Sequence, residues 1–170
     1  MPAHMTKVRA HITESAKSQC RLSLQSHSST QDETMSLAVV EISLLREHEQ
    51  TSSQYCERLK KRIMDDGVIK RSIAVDSRTN VILDGHHRLN ALRELGCRMI
   101  PVTYVDYDSS AIQVESRRNF QVSKEMVISA GLTGNKLPPK TSRHMIFHDG
   151  RSRHISCIEK IVNIPLTDLT

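Results

Sequence analysis

One short segment, VILDGHHRLNAL, places an acid, a glycine, two histidines and an arginine in the five consecutive positions from Asp84 to Arg88. The apolar triplet before Asp84 is typical of a strand, and the leucine spacing after Arg88 is typical of a helix. Gly85 then makes the tight connection between them. The backbone N–H groups of His86, His87 and Arg88 open that helix, and unpaired donors at a helix N-terminus favour phosphate or carboxylate. The segment therefore predicts an anion-binding turn.

The charged side chains of this turn have several chemical uses. Arg88 can add a planar, permanently charged fork for an anion. Asp84 can cap the helix, bind a substrate amine or hydroxyl, or help to hold Mg²⁺, and the residues alone leave these roles open. A capping aspartate beside solvated histidines is the ordinary interpretation of an isolated Asp-Gly-His sequence. Four polar side chains around one glycine make that interpretation weaker here.

A second polar run lies near the C-terminus. Its members are Lys140, Thr141, Ser142, Arg143 and His144. They supply cations and hydroxyls that suit a carboxylate or a transferring phosphoryl group. An ordinary solvated basic loop explains the run equally well from the residues alone. Because Pro138 and Pro139 stiffen the approach to it, we favour a site.

The 170 residues fit one domain with a tail, and a 3% aromatic content requires a core of aliphatic side chains. Residues 1–34 are rich in Ser, Thr, His and Gln and predict a flexible N-terminal tail. Helical periodicity from Ser53, ended by Gly67, alternates with short apolar strands such as SIAVD, NVILD and MIPVTYVDY. Residues 35–170 are therefore expected to form one α+β domain, with GLTGNKLPPK as a loop.

Charge and cysteine usage exclude several classes of protein. The formal charge of the chain is +5, and residues 135–170 carry six Lys/Arg against three acids, so the excess is concentrated near the C-terminus. This favours a local anion site over a broad nucleic-acid footprint. The four cysteines are scattered, which indicates thiols in a reducing compartment. No apolar run is long enough for a membrane span, and a cytoplasmic protein is expected.

Three motifs together resemble a known family. ILDGHHRLNALRELG is similar to the D-G-H-H-R segment of the ParB/sulfiredoxin-like fold, and specifically of its free L-serine kinases. EISLLREHEQ resembles the strand and H-E-Q segment of that branch, and PPKTSRHMI resembles its P-K-T-x-R-H segment. The resemblance implies an α+β, ParB/sulfiredoxin-like domain with a small mixed sheet and flanking helices, in which residues 138–170 contribute a substrate- and phosphate-binding segment.

The resemblance also implies an activity, which is phosphorylation of free L-serine to O-phosphoserine, for cysteine or a related amino-acid pathway. The donor is ADP or ATP, and Mg²⁺ accompanies the nucleotide. Glu49 matches the catalytic base, although the residues alone favour a solvated loop acid, as is also expected for Glu47. His48 either orients Glu49 or contacts phosphate. The implied catalytic residues are Glu49 and Asp84, the nucleotide- and phosphate-binding residues are Gly85, His86, His87 and Arg88, and the substrate-binding residues are His48, Lys140, Thr141, Ser142, Arg143 and His144.

Other functions of the same fold need residues that differ from these in part. Sulfiredoxin chemistry needs a cysteine where His86 stands, so it is excluded. A ParB-like, DNA-associated or regulatory nucleotide-binding module without kinase activity is the alternative, although no basic recognition helix follows Tyr107. A silent sensor of nucleotide or amino acid would share every ligand residue. The histidines lack the spacing of a zinc site, so no metal site made by the protein is predicted. The sequence does not indicate an oligomeric state.

Overall fold

A computed structural model describes residues 35–170. The predicted tail, residues 1–34, lies outside the described residues. The strands are β1 (Ser36–Glu41), β2 (Val68–Arg71), β3 (Ile73–Asp76), β4 (Ile82–Asp84), β5 (Met99–Val105), β6 (Ile112–Ser116), β7 (Ser142–His148), β8 (Arg151–His154) and β9 (Ile161–Pro165). The α-helices are α1 (Ser53–Asp66), α2 (His86–Glu94) and α3 (Lys124–Thr133).

The central sheet has the strand order β1-β5-β3-β4. Strands β5 and β3 run parallel, whereas β1 with β5 and β3 with β4 are antiparallel, so the sheet is mixed. Strands β2 and β9 form an antiparallel pair, and β6, β7 and β8 form an antiparallel meander. The predicted α+β class with a small mixed sheet is therefore confirmed.

Apolar side chains cover both faces of the central sheet. Along β3, Ile73 and Val75 join one core cluster and Ala74 joins the other, because successive residues of a strand point to opposite faces. The first cluster includes Leu89 and Leu92 of α2, and the second includes Val127 of α3. Burial on both faces explains why the short strands of the sequence are continuously apolar.

Glycines set two features of the helices. Helix α1 ends at Gly67, whose φ of 68° provides the left-handed C-cap that the sequence predicts. The predicted loop GLTGNKLPPK is partly helical, because α3 continues to Thr133. A Cβ at Gly131 would lie 2.6 Å from Val81 Cγ2, so this glycine permits close packing of α3. Within residues 35–170, no helix has both the length and the apolarity that a membrane crossing needs.

Candidate active site

The strand-to-helix turn forms as predicted. Strand β4 ends at Asp84, and α2 begins at His86. Gly85 between them has a φ of +106°, and a Cβ there would lie 2.3 Å from Ile73 Cγ2. Both the backbone conformation and the close approach of β3 therefore require glycine. No side chain caps the start of α2. Asp84 is therefore not the helix cap, which was one of the three roles that the sequence left open for it.

Arg88 directs its guanidinium toward groups of the protein itself. Its Nη1 donates to the carbonyl of Ser72, and its Nη2 donates to Asp84 Oδ2 at 3.2 Å and to Glu159 Oε1. The Glu159 side chain is 2% exposed, and its burial raises the pKa to about 7 against the opposing effect of Arg88. The nucleotide-binding role of Arg88 stays a prediction, and the contacts give it the further task of neutralising a buried acid.

Glu49 joins two motifs that are about ninety residues apart in the chain. Its Oε1 accepts from the backbone N–H of Lys140 at 2.6 Å. Its Oε2 accepts from the backbone N–H groups of Thr141 at 3.1 Å and Ser142 at 2.9 Å, and from Ser142 Oγ at 2.8 Å. The chain around Glu49 also forms a short parallel bridge with Leu137. Four donors therefore fix the position of this carboxylate.

His48 lies behind Glu49 and is fully buried. Its Nδ1 is 2.7 Å from the carbonyl oxygen of Ile82, and its Nε2 is 2.8 Å from Ser142 Oγ. Because Ser142 Oγ also contacts Glu49 Oε2, this hydroxyl links the two side chains, and the role of His48 stays a prediction.

Two further buried histidines pack around His48. The ring centroid of His86 is 4.5 Å from that of His48, and the centroid of His144 is 5.5 Å away. His144 Nε2 lies 2.9 Å from the Tyr107 hydroxyl. Burial lowers the pKa of all three imidazoles, that of His144 to about 3, and charge on His48 would lower the pKa of His86 and His144 further. They are therefore neutral at pH 7. Among the described residues, His86 Nε2 is a buried polar atom without a hydrogen-bond partner.

Two neighbouring cavities meet at the turn. One, of about 440 Å³, is lined by Glu49, Ser142 and the cationic side chains of Arg58, Arg117 and Lys140. The other, of about 400 Å³, has an apolar wall from α1 and β2 with basic residues at its edge. The residues lining both cavities are Tyr55, Asp84, Gly85 and His87. The two spaces are therefore adjacent.

The basic run of residues 140–144 divides between the cavity and other environments. Lys140, Ser142 and His144 line the 440 Å³ cavity. The Arg143 side chain does not line it; it is 46% exposed near Glu115, because it points to the opposite face of β7 from its neighbours. The Thr141 side chain is buried, and its hydroxyl donates to the Pro138 carbonyl at 2.7 Å. The structure thus does not bring these two predicted substrate-binding side chains into the cavity.

His87 stands at the entrance to α1. Its Nε2 accepts from the backbone N–H of Ser52 at 3.2 Å, and its ring packs edge-on against Tyr55 with centroids 4.7 Å apart. Tyr55 and Arg58, which sequence reasoning missed as site residues, are one turn apart in α1, with the guanidinium 5.6 Å from the ring centroid. The sequence shows their helical spacing, but it does not show that this face of α1 packs against His87.

Glu47 corrects an expectation. It is 7% exposed, and its carboxylate accepts from Asn90 Nδ2 at 2.8 Å, from Arg93 Nη1 at 3.1 Å and from Lys136 Nζ at 3.2 Å. Burial opposes ionisation, but these three partners lower the pKa of Glu47. The expectation of a solvated loop acid was wrong, because segments distant in sequence cover the loop.

Within residues 35–170, no cluster of three or more His, Cys, Asp or Glu side chains is arranged to hold a metal ion. The Asp84 side chain is 30% exposed and lies on the wall shared by the two cavities. Mg²⁺ prefers one or two carboxylates together with substrate phosphates, so a single carboxylate at this position fits an ion brought by a nucleotide.

The described residues define an α+β domain in which a small mixed sheet is flanked by helices. In particular, the chain has the fold of a free serine kinase solved in complex with AMP, with a TM-score of 0.66 and 13% identity over 79% of this chain and 93% of that one. This confirms the fold that the resemblance implies. No family model matches the chain.

Two curated relatives match parts of the chain. An ATP-dependent L-serine kinase from Staphylothermus marinus is 26% identical over 82 residues, which cover 46% of this chain and 32% of that protein. A ParB-like protein from Sulfolobus acidocaldarius is 48% identical over 42 residues, which cover 25% of this chain and 21% of that protein. The chain therefore spans less than a third of the length of either relative.

Proposed function

We propose that this protein is a nucleotide-dependent kinase that phosphorylates free L-serine to O-phosphoserine, with Glu49 as the general base and ADP or ATP as the donor. One observation carries the proposal: the Glu49 carboxylate is fixed on the wall of a cationic cavity that adjoins the Gly85 turn. The structural likeness to a free serine kinase and the partial sequence match to an L-serine kinase support the same activity.

The two oxygens of Glu49 differ in their capacity to accept a proton. Oε2 already accepts from three donors, whereas Oε1 accepts only from the Lys140 N–H. A carboxylate oxygen has about two acceptor sites. Oε1 is therefore the oxygen with room for a substrate hydroxyl. As the hydroxyl oxygen forms its bond to phosphorus and the bond from phosphorus to the nucleotide oxygen breaks, the hydroxyl proton passes to Glu49.

Positive charge around the cavity suits the remaining groups of both substrates. Arg58, Arg117 and Lys140 can pair with the serine carboxylate and the donor phosphates. The open N–H groups at the start of α2 add donors for phosphate oxygens. Asp84 would hold Mg²⁺, and that ion, when bound with the nucleotide, neutralises charge on the phosphates.

Direct product detection tests the proposal. The protein is incubated with L-serine, Mg²⁺ and either ADP or ATP, and O-phosphoserine is measured by ³¹P NMR. We expect product with one donor, and turnover lower by roughly 10²- to 10⁴-fold in Glu49→Gln, the usual effect of losing a general base. Glu41→Gln is the matched control, since Glu41 also accepts from a serine hydroxyl but lies on β1 outside both cavities. Folded protein that forms no product with either donor contradicts the kinase proposal.

A nucleotide-binding module without kinase activity is the second candidate. The 48% identity to a ParB-like protein favours it, over residues that cover a quarter of the chain. Calorimetry with ADP and ATP separates the two candidates. Nucleotide binding without O-phosphoserine formation supports the binding module.

A further inference from the structure

The hydroxyl of Ser142 lies between two acceptors. Ser142 Oγ is 2.8 Å from Glu49 Oε2 and 2.8 Å from His48 Nε2. His48 Nδ1 faces the Ile82 carbonyl at 2.7 Å, and a carbonyl only accepts, so Nδ1 carries the hydrogen. In a neutral imidazole, Nε2 is then an acceptor. Two acceptors therefore compete for the single hydroxyl hydrogen of Ser142.

The charge on Glu49 decides this competition. An ionised carboxylate is the stronger acceptor, so the Ser142 hydrogen points to Glu49 and leaves His48 Nε2 without a partner in a fully buried position. After Glu49 takes a proton at Oε1, Oε2 belongs to a neutral carboxyl group that still accepts from two backbone N–H groups. The Ser142 hydrogen is then free to rotate to His48, which satisfies the buried imidazole.

We propose that His48 and Ser142 are positioning residues that make Glu49 a better base, through a hydroxyl hydrogen that rotates from Glu49 to His48 as Glu49 takes the substrate proton. The three backbone N–H bonds hold the carboxylate in place. The hydrogen bond that His48 gains stabilises the arrangement in which Glu49 carries the substrate proton. The kinetic part of the inference rests on the proposed function, because the proton comes from the serine hydroxyl.

The surroundings keep His48 neutral. Glu49 in its own loop favours the charged imidazole, but burial opposes charge more strongly and lowers the pKa of His48. His86 from α2 and His144 from β7 face the same ring and fill the space around it with buried imidazoles. His87 also faces Glu49 from α2. Neutral His48 is thus available as an acceptor at neutral pH.

Kinetics of single and double variants test whether His48 acts on Glu49 through the Ser142 hydroxyl. His48→Asn puts an amide near the Nδ1 position, where it can still donate to Ile82, and removes the Nε2 acceptor. We expect kcat to fall about tenfold, the equivalent of one ordinary hydrogen bond. In a Ser142→Ala background, His48→Asn should cost nothing further, because the connection is already broken. Equal losses in both backgrounds would show that His48 only packs the core and would overturn the proposal.

The hydroxyl itself has matched controls. Ser142→Thr keeps a hydroxyl and should retain activity that Ser142→Ala loses. Ser43→Ala removes a serine hydroxyl that donates to Glu41 at 3.0 Å on an exposed turn, and should leave turnover unchanged. If Ser142→Ala is as active as Ser43→Ala, the hydroxyl has no part in catalysis and the proposal fails.

A measurement without turnover separates this inference from the kinase proposal. In ¹⁵N NMR of the imidazoles, Glu49→Gln mimics the neutral carboxyl group and should shift the His48 Nε2 resonance toward that of a hydrogen-bonded acceptor. Ser142→Ala should abolish the shift. If the chemical shift of His48 Nε2 is the same in Glu49→Gln as in the wild type, the inference is overturned, even if the enzyme is active. The expected shift in a protein that forms no product supports the hydrogen-bond arrangement while the kinase proposal fails.

Discussion

Acid should destabilise this protein through its buried histidines, and His144 allows the effect to be measured. Burial lowers the pKa of His144 from 6.5 to about 3, and repulsion from His48 acts in the same direction. The imidazole is buried, and its Nε2 lies 2.9 Å from the buried Tyr107 hydroxyl, so a proton on this ring would be held away from water. Between pH 6.5 and 3, His144 is therefore protonated in the unfolded chain but neutral in the folded protein. The stability that His144 contributes is complete above pH 6.5 and falls as the pH decreases below it.

The expected magnitude follows from the size of the shift. Each pH unit below 6.5 costs about 1.4 kcal/mol for this one site, so a decrease to about pH 5 removes roughly 2 kcal/mol. His144→Gln keeps a polar side chain but cannot titrate. The other titrating groups, including Glu159 with its raised pKa, are present in both proteins, so the comparison isolates His144.

Urea unfolding followed by far-UV circular dichroism gives the free energy of unfolding of both proteins at neutral and acidic pH. We expect the wild type to lose about 2 kcal/mol more than His144→Gln between roughly pH 7 and pH 5. Parallel pH dependence of the two proteins would refute the reasoning, because His144 would then titrate alike in the folded and unfolded chains.

Three further substitutions have expected outcomes that urea unfolding can check. Gly85→Ala should lower the free energy of unfolding by roughly 2–5 kcal/mol, because it adds backbone strain and a clash with β3. Gly134 also has a positive φ but open space around its Cβ, so Gly134→Ala should show only the cost of the strain. Arg88→Ala should cost roughly 3–5 kcal/mol, because it leaves Glu159 buried without its cation; unchanged stability with weaker nucleotide binding would make Arg88 a phosphate ligand alone. Glu47→Ala should cost roughly 1–3 kcal/mol from its lost hydrogen bonds, and no loss at all would show that the carboxylate is solvated.

The sequence determined the features that depend on neighbouring residues. The strand, Gly85 and helix of the anion-binding turn follow from apolar spacing and from the one residue that tolerates the backbone of that turn. The end of α1 at Gly67 follows in the same way. The three motifs also indicated the fold, because they preserve the order of the family that they resemble.

Tertiary structure alone decided which of the polar residues meet. Glu49 contacts residues 140–142, and Arg88 contacts Glu159, 71 positions further along the chain. Glu47 and Glu49 have similar local sequences, yet one is a buried ion-pair partner and the other lies at a cavity. Strand β7 turned Ser142 toward the cavity and Arg143 away from it. Local pattern sets backbone conformation, but burial and hydrogen-bond partners arise from long-range packing, which gives the same side chain a different energy in each environment.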